Sequence, residues 1–131
     1  LCGIAVLLLV PLFLAACQPS AGSAAGQVVE QYFQAIVDGD EDRISTLSCA
    51  DWESSARADV AAFYGVEARL EEVSCQPVED GQTGSESSVV VECSGAIVAT
   101  YNNEDASFEL VGKQFRVIKQ ANEWLVCGYV E

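Results

Sequence analysis

The chain has 131 residues, half of them hydrophobic, with six cysteines, no histidine and a formal net charge of −14. So large an acidic excess argues against nucleic acid and against electrostatic docking on anionic lipid headgroups. The absence of histidine removes mechanisms that need an imidazole, and the length suits one domain with one modest core.

Residues 4–14 read Ile-Ala-Val-Leu-Leu-Leu-Val-Pro-Leu-Phe-Leu, an apolar run of signal-peptide length followed by small residues. A bilayer-spanning helix needs about 20 apolar residues. This run is shorter and contains Pro11, so a permanent transmembrane helix is the weaker reading. Leu14-Ala15-Ala16-Cys17 at its end resembles a bacterial lipobox, where a lipoprotein precursor is acylated on the cysteine and cut before it. The resemblance implies a signal peptide over residues 1–16, a basic n-region ahead of Leu1, and lipid attachment at Cys17. A conventional signal peptide cut near Ala16, leaving a thiol, is the plain alternative. Lipoproteins of this kind carry several acyl chains on the one cysteine, and stable anchoring takes more than one. The implied partner is therefore a bacterial membrane, and the implied location is the cell envelope on its extracytoplasmic side. Asp after the cysteine favours inner-membrane retention in Gram-negative families; Gln18 permits outer-membrane sorting.

Residues 17–26 form the lipidated linker of this reading. From Gln18 to Gly26 the composition is flexible, without large apolar side chains, and it spans at most roughly 30 Å; a frayed helix start is the plain alternative for its last few residues. The domain proper is expected over residues 27–131. Val28, Val29, Tyr32, Phe33, Ile36 and Val37 recur at helical spacing and predict an amphipathic helix. Gly39 suits the left-handed position past its end. Asp40 suits the N-cap of a short second helix whose buried face is Ile44 and Leu47. A third helix is predicted from near Asp51 through Ala56, Val60 and Phe63 to Tyr64, ended by Gly65. The acidic run Asp38–Asp42 invites a calcium-loop reading, but Arg43 stands where that loop needs Gly and Cys49 where it needs Glu.

From Val66 on, β-branched alternation predicts strands. The first covers about Glu67 to Val78, with a bulge near Glu71 and Glu72 where the apolar parity flips. Residues 79–85 are a polar hairpin loop. The second, about Ser88 to Tyr101, places Val89, Val91, Cys93, Gly95, Ile97, Ala99 and Tyr101 on one face. A turn at 102–105 leads to a third strand carrying Phe108 and Leu110, flipping parity around Gly112, and continuing through Phe115 and Val117. After the tight turn Ala121-Asn122, Trp124 to Val130 form the last strand. The fold class is thus α+β, with N-terminal helices packed on a strongly curved, antiparallel four-stranded sheet.

Downstream of Cys17 stand Cys49, Cys75, Cys93 and Cys127. Four cysteines in an exported domain read as two disulfides with three possible connectivities. A hairpin centred near Gly84 sets Cys75 opposite Cys93, leaving Cys49 for Cys127. Zinc is disfavoured because no close cysteine pair and no histidine are present, and the C-x-x-C of a redox enzyme is absent. No metal or other cofactor is expected.

The segment from Val29 to Asp40 (Val-Glu-Gln-Tyr-Phe-Gln-Ala-Ile-Val-Asp-Gly-Asp), its short following helix, and the closing Glu123-Trp124-Leu125-Val126 with Tyr129 are similar to nuclear transport factor 2-like domains, the cystatin-like cone, ketosteroid-isomerase-like superfamily. The resemblance implies a sheet wrapped around the first helix, its open mouth holding a ligand or active site. Tyr32, Phe33, Trp52, Phe63, Tyr64, Tyr101, Phe115 and Trp124 are the candidate pocket residues; for the large aromatics the plain alternative is core. Tyr32, Asp59, Tyr64 and Tyr101 are the acid/base side chains that a cone interior offers, and none lies in a catalytic motif of the family. The leading expectation is a non-catalytic binding or interaction domain for a small apolar ligand or an envelope protein. A ketosteroid-isomerase-like or dehydratase-like enzyme, or a purely structural partner-binding module, stands as the alternative.

Overall fold

The computed structural model describes residues 21–78 and 87–130. The signal segment, Cys17 and the 79–85 loop lie outside the described residues. Among the described residues three helices come first, α1 (Ala21–Asp38), α2 (Glu41–Thr46) and α3 (Glu53–Ala62). Five strands follow, β1 (Glu67–Pro77), β2 (Ser88–Tyr101), β3 (Glu104–Glu109), β4 (Gln114–Gln120) and β5 (Glu123–Val130).

Helix α1 buries Ala25, Val28, Val29, Tyr32, Phe33 and Ile36, a stripe of three- and four-residue steps laid against the sheet. It begins at Ala21, well inside the stretch read as linker. The small residues there are contact residues: Ala25 is fully buried, and a Cβ on Gly26 would stand 2.2 Å from the Cys75 carbonyl oxygen. Low apolar bulk that reads as flexibility in sequence is here what lets the helix touch the sheet backbone. Gly39, at φ +68°, ends α1. The Asp40 carboxylate accepts from the Arg43 amide at 2.9 Å, capping α2.

The sheet is antiparallel, in the order β1-β2-β4-β5, with β3 also on β2. The four strands expected are five, because the third is interrupted. β3 pairs with residues 96–101 of β2 and β4 with residues 88–92, end to end along one edge. Between them Leu110–Lys113 loops out, yet the ladder is kept by Leu110 N–H to Gly95 O at 2.9 Å and Cys93 N–H to Lys113 O at 3.2 Å. The parity flip around Gly112 is thus a break in the strand.

Two bulges bend the sheet. In β1, Glu72 and Val73 oppose the single residue Gly95. Glu72 takes φ +50°, and a Cβ on Gly95 would stand 2.5 Å from the Glu72 carbonyl oxygen. Glu30 of α1 accepts the outward-facing Cys75 amide at 2.9 Å. In β5, Cys127 and Gly128 oppose Arg116 alone, whose guanidinium donates to the Cys127 carbonyl at 3.0 Å. Each bulge sharpens the local twist and reverses which residues face inward.

The disulfides are Cys75–Cys93 and Cys49–Cys127. Cys75 and Cys93 face each other with both amides turned away, a non-hydrogen-bonded pair, and their Cα atoms are 4.1 Å apart. The second bond ties the segment after α2 to β5. That segment also adds a short parallel bridge, Cys49 N–H to Val126 O at 2.9 Å and Val126 N–H to Leu47 O at 2.8 Å, which covers the outer edge of β5.

Candidate functional site

Beside the inner face of α1 the sheet leaves a cleft of about 180 Å³. Phe33 and Ile36 of α1, Ala62 and Phe63 after Asp59 on α3, Ile97 of β2 and Phe115 of β4 line it, closed by Phe108, Leu110 and Tyr129. The charged lining residues are Asp59 and Lys113. The rings pack edge to face, Phe33 on Phe115 at 5.2 Å and Phe63 on Phe108 at 5.7 Å, while Tyr129 tilts against Phe115 at 4.9 Å. Phe108 remains partly exposed.

At one wall the polar groups converge on Asp59. The Tyr32 phenol donates to Asp59 Oδ2 at 2.7 Å, and the Tyr129 phenol donates to the same oxygen at 2.8 Å. The Trp52 indole N–H donates to the Tyr32 oxygen at 3.1 Å, and the Trp52 ring stands edge-on to Tyr129 at 5.2 Å. Three elements supply this cluster. α1 presents Tyr32 on its buried stripe, α3 presents Asp59 beside buried Val60, and the β5 bulge turns Tyr129 inward. Burial, and secondarily the Asp59 carboxylate, hold both phenols protonated well above the ordinary tyrosine range.

Chemically, the cluster offers a ligand an acceptor. Both phenolic protons are turned onto Oδ2, so neither phenol is free to donate into the cleft. Oδ1 of Asp59 has no hydrogen-bond partner among the described residues, and no described side-chain N or O is a buried orphan; Oδ1 is therefore open to solvent. The Lys113 ammonium sits on the exposed Val111–Lys113 corner and pairs with no carboxylate among the described residues.

Of the candidate pocket residues, Phe33, Phe63 and Phe115 line the cleft, and Tyr32 and Trp52 stand behind its Asp59 wall. The other three lie elsewhere. Tyr64, just past the end of α3, is 79 % exposed, and Tyr101, at the β2–β3 hairpin tip, is 42 % exposed. Trp124 lines a separate groove with Ala24, Gln27, Val28 and Leu47, with the Lys119 ammonium over its ring at 5.7 Å. Phe108, Lys113 and Tyr129 line the cleft but are not singled out by sequence as pocket residues; Tyr129, which the sequence offers only as part of the closing strand, is placed on the other face by simple alternation from Val126. The acidic run 38–42 serves capping and the helix turn through Asp40. Among the described residues no three metal-type side chains cluster, and no helix is long and apolar enough to cross a membrane.

No protein-family model and no curated protein matches the sequence. Solved structures do resemble it. Aln2 from a Streptomyces species superposes with a TM-score of 0.54 at 13 % identity, over 86 % of this chain and 90 % of that one. A SEC-C motif containing protein from Rhodopseudomonas palustris gives 0.52 at 13 % identity, over 82 % and 79 %. A candidate ketosteroid isomerase from Shewanella frigidimarina gives 0.51 at 20 % identity, over 79 % and 90 %. At such identities the likeness is one of fold alone, and it agrees with a nuclear transport factor 2-like fold.

Proposed function

We propose that this chain is an envelope lipoprotein, tethered to a bacterial membrane through Cys17, whose domain is a non-catalytic binding module for a small, largely apolar ligand. The observation that carries the binding reading is the aromatic cleft with one open carboxylate oxygen in its wall. Ligand sites are concave, mostly apolar, and carry few polar groups. Tethering is supported by the lipobox-like Leu14–Cys17 at the end of an apolar run, and export by two disulfides, which persist in oxidising compartments.

The same geometry weighs against the enzyme alternative. An isomerase- or dehydratase-like reaction needs a base reaching substrate and a donor for the developing oxyanion. Here one oxygen of the carboxylate is held by two phenols, and those phenols are the donors such a reaction would use.

Mass spectrometry of the protein from bacterial membranes tests both parts. A denatured, intact-mass spectrum should start at an acylated Cys17 and gain about four hydrogens on reduction, two for each disulfide. Under native conditions, the protein should retain added toluene, and a substitution that fills the cleft, Ala62→Phe, should abolish retention. A chain without acyl groups would remove the tether, and a protein that holds neither toluene nor phenethylamine, its charged one-ring counterpart, would remove the binding module.

A further inference from the structure

We propose that the cleft selects a small organic ammonium ion about one ring in size, its charge on Asp59 and its apolar part among Phe33, Phe63, Phe108 and Phe115. This rests on the reading of the cleft as a ligand site and adds the sign of the ligand's charge. The hydrogen-bond directions supply the first argument. Tyr32 and Tyr129 both donate to Oδ2 at 2.7 and 2.8 Å, and Trp52 donates to Tyr32, so every proton of the cluster is turned inward. What Asp59, a lining residue of the cleft, has left to offer a ligand is its unpaired Oδ1, an anionic acceptor. At the Asp59 wall a carbonyl or a carboxylate would find no donor, the ammonium of the cleft being Lys113 on the exposed corner, whereas an N⁺–H finds a charge-assisted partner.

The aromatic lining supplies the second argument. Ring faces attract cations, and Phe33, Phe63, Phe108, Phe115 and Tyr129 all line the cleft. The third is the field: a formal charge of −14 raises the local concentration of cations. Size sets the limit. The cleft holds about 180 Å³, close to the roughly 150 Å³ of an engineered cavity that takes benzene. One ring with a short amine arm fits within it, and the further rings of a larger ligand would stand in solvent. Lys113 is the one lining group that opposes a cation; it lies on the exposed corner, so neutralising it should strengthen binding.

The test is an NMR titration of the disulfide-bonded domain in the full chain with phenethylamine, toluene and 3-phenylpropionate, following Phe33, Phe63 and Phe115. Phenethylamine should bind about tenfold or more tighter than either of the others. Asp59→Asn, which retains an oxygen for the two phenols, should abolish the amine's advantage over toluene measured on the same variant. Lys113→Met should tighten the amine several-fold. If toluene binds and the amine is no tighter, or if Asp59→Asn leaves the amine's advantage intact, the charge assignment is overturned and the ligand site stands. If toluene and the amine both leave the cleft resonances unmoved, the ligand-site reading fails. The comparison of the three probes on the unsubstituted protein decides the matter should Asp59→Asn not fold.

Discussion

Tyr32→Phe isolates the polar cluster from the packing around it, because it keeps the ring on the α1 stripe and removes one oxygen. That oxygen has two roles. It carries the 2.7 Å donation to the Asp59 carboxylate, and it accepts the Trp52 indole N–H at 3.1 Å. Tyr32 is fully buried, so water does not replace what is lost on the tyrosine side. A hydrogen bond to a charged group contributes about 1.5–3 kcal/mol, and a half-buried indole left unpaired adds about 1 kcal/mol, giving a loss of about 2.5–4 kcal/mol. For a domain of this size that lowers Tm by roughly 10–20 °C. Tyr129→Phe removes a similar bond, 2.8 Å to the same oxygen, but Tyr129 is 46 % exposed. Water can satisfy Asp59 there, and the cost should be about 1 kcal/mol or less. Urea denaturation of both variants, with disulfides intact, measures the difference. Equal losses, or a larger one for Tyr129→Phe, would refute the account of burial as what separates them; no loss at Tyr32 would mean that the cluster does not stabilise the fold.

The raised phenols set the pH dependence. Below the ordinary tyrosine value of 10.0 the folded and unfolded chains are both protonated, and the contribution is fully present. As pH rises past that value the unfolded chain loses protons that the folded chain keeps, so stability falls, by up to about 1.4 kcal/mol per pH unit for buried Tyr32 and by less for Tyr129, where solvent screens the 46 % exposed side chain. Ultraviolet titration should show Tyr32 and Tyr129 ionising only together with alkaline unfolding, and their ionisation ahead of unfolding would contradict this. Gly26→Ala should destabilise by about 1–3 kcal/mol through overpacking, since its Cβ would meet the Cys75 carbonyl oxygen; an unchanged denaturation midpoint would show that α1 can withdraw freely from β1. Removing the Cys49–Cys127 bond, which spans 78 residues, should cost about 4.5 kcal/mol, against about 3 kcal/mol for the 18 residues of Cys75–Cys93. Paired Cys→Ala variants in thermal denaturation would test that order.

Local chemistry carried the elements. The stripe from Val28 to Val37, the αL position of Gly39, the Asp40 cap, the Ala121-Asn122 turn and the register that sets Cys75 opposite Cys93 follow from spacing and backbone preference alone, because each depends on residues close in the chain or mirrored about one hairpin. The approach at Gly26 was hidden, since a small residue reads the same whether it is loose or tightly packed; only the Cys75 carbonyl beside it tells the two apart. The division of the third strand into β3 and β4 was visible as a flipped parity, but whether such a flip is a bulge or a break depends on where the loop meets β2.

The candidate site divides in the same way. Phe33, Phe63, Phe115 and Asp59 are apolar or acidic side chains on faces that periodicity already turns inward. Tyr129 is not: alternation from Val126 puts it outside, and the extra residue at Cys127-Gly128, placed by Arg116 and by the register with β4, brings it to Asp59. Sequence by itself determined the order of the elements, the acidic charge, the cysteine framework and the lipobox-like motif at Cys17, since all of these are properties of short stretches. Which aromatic rings share a cleft, and which oxygen two tyrosines hold, was decided by strand register and helix packing, interactions between residues as far apart as Asp59 and Tyr129 that no local pattern encodes.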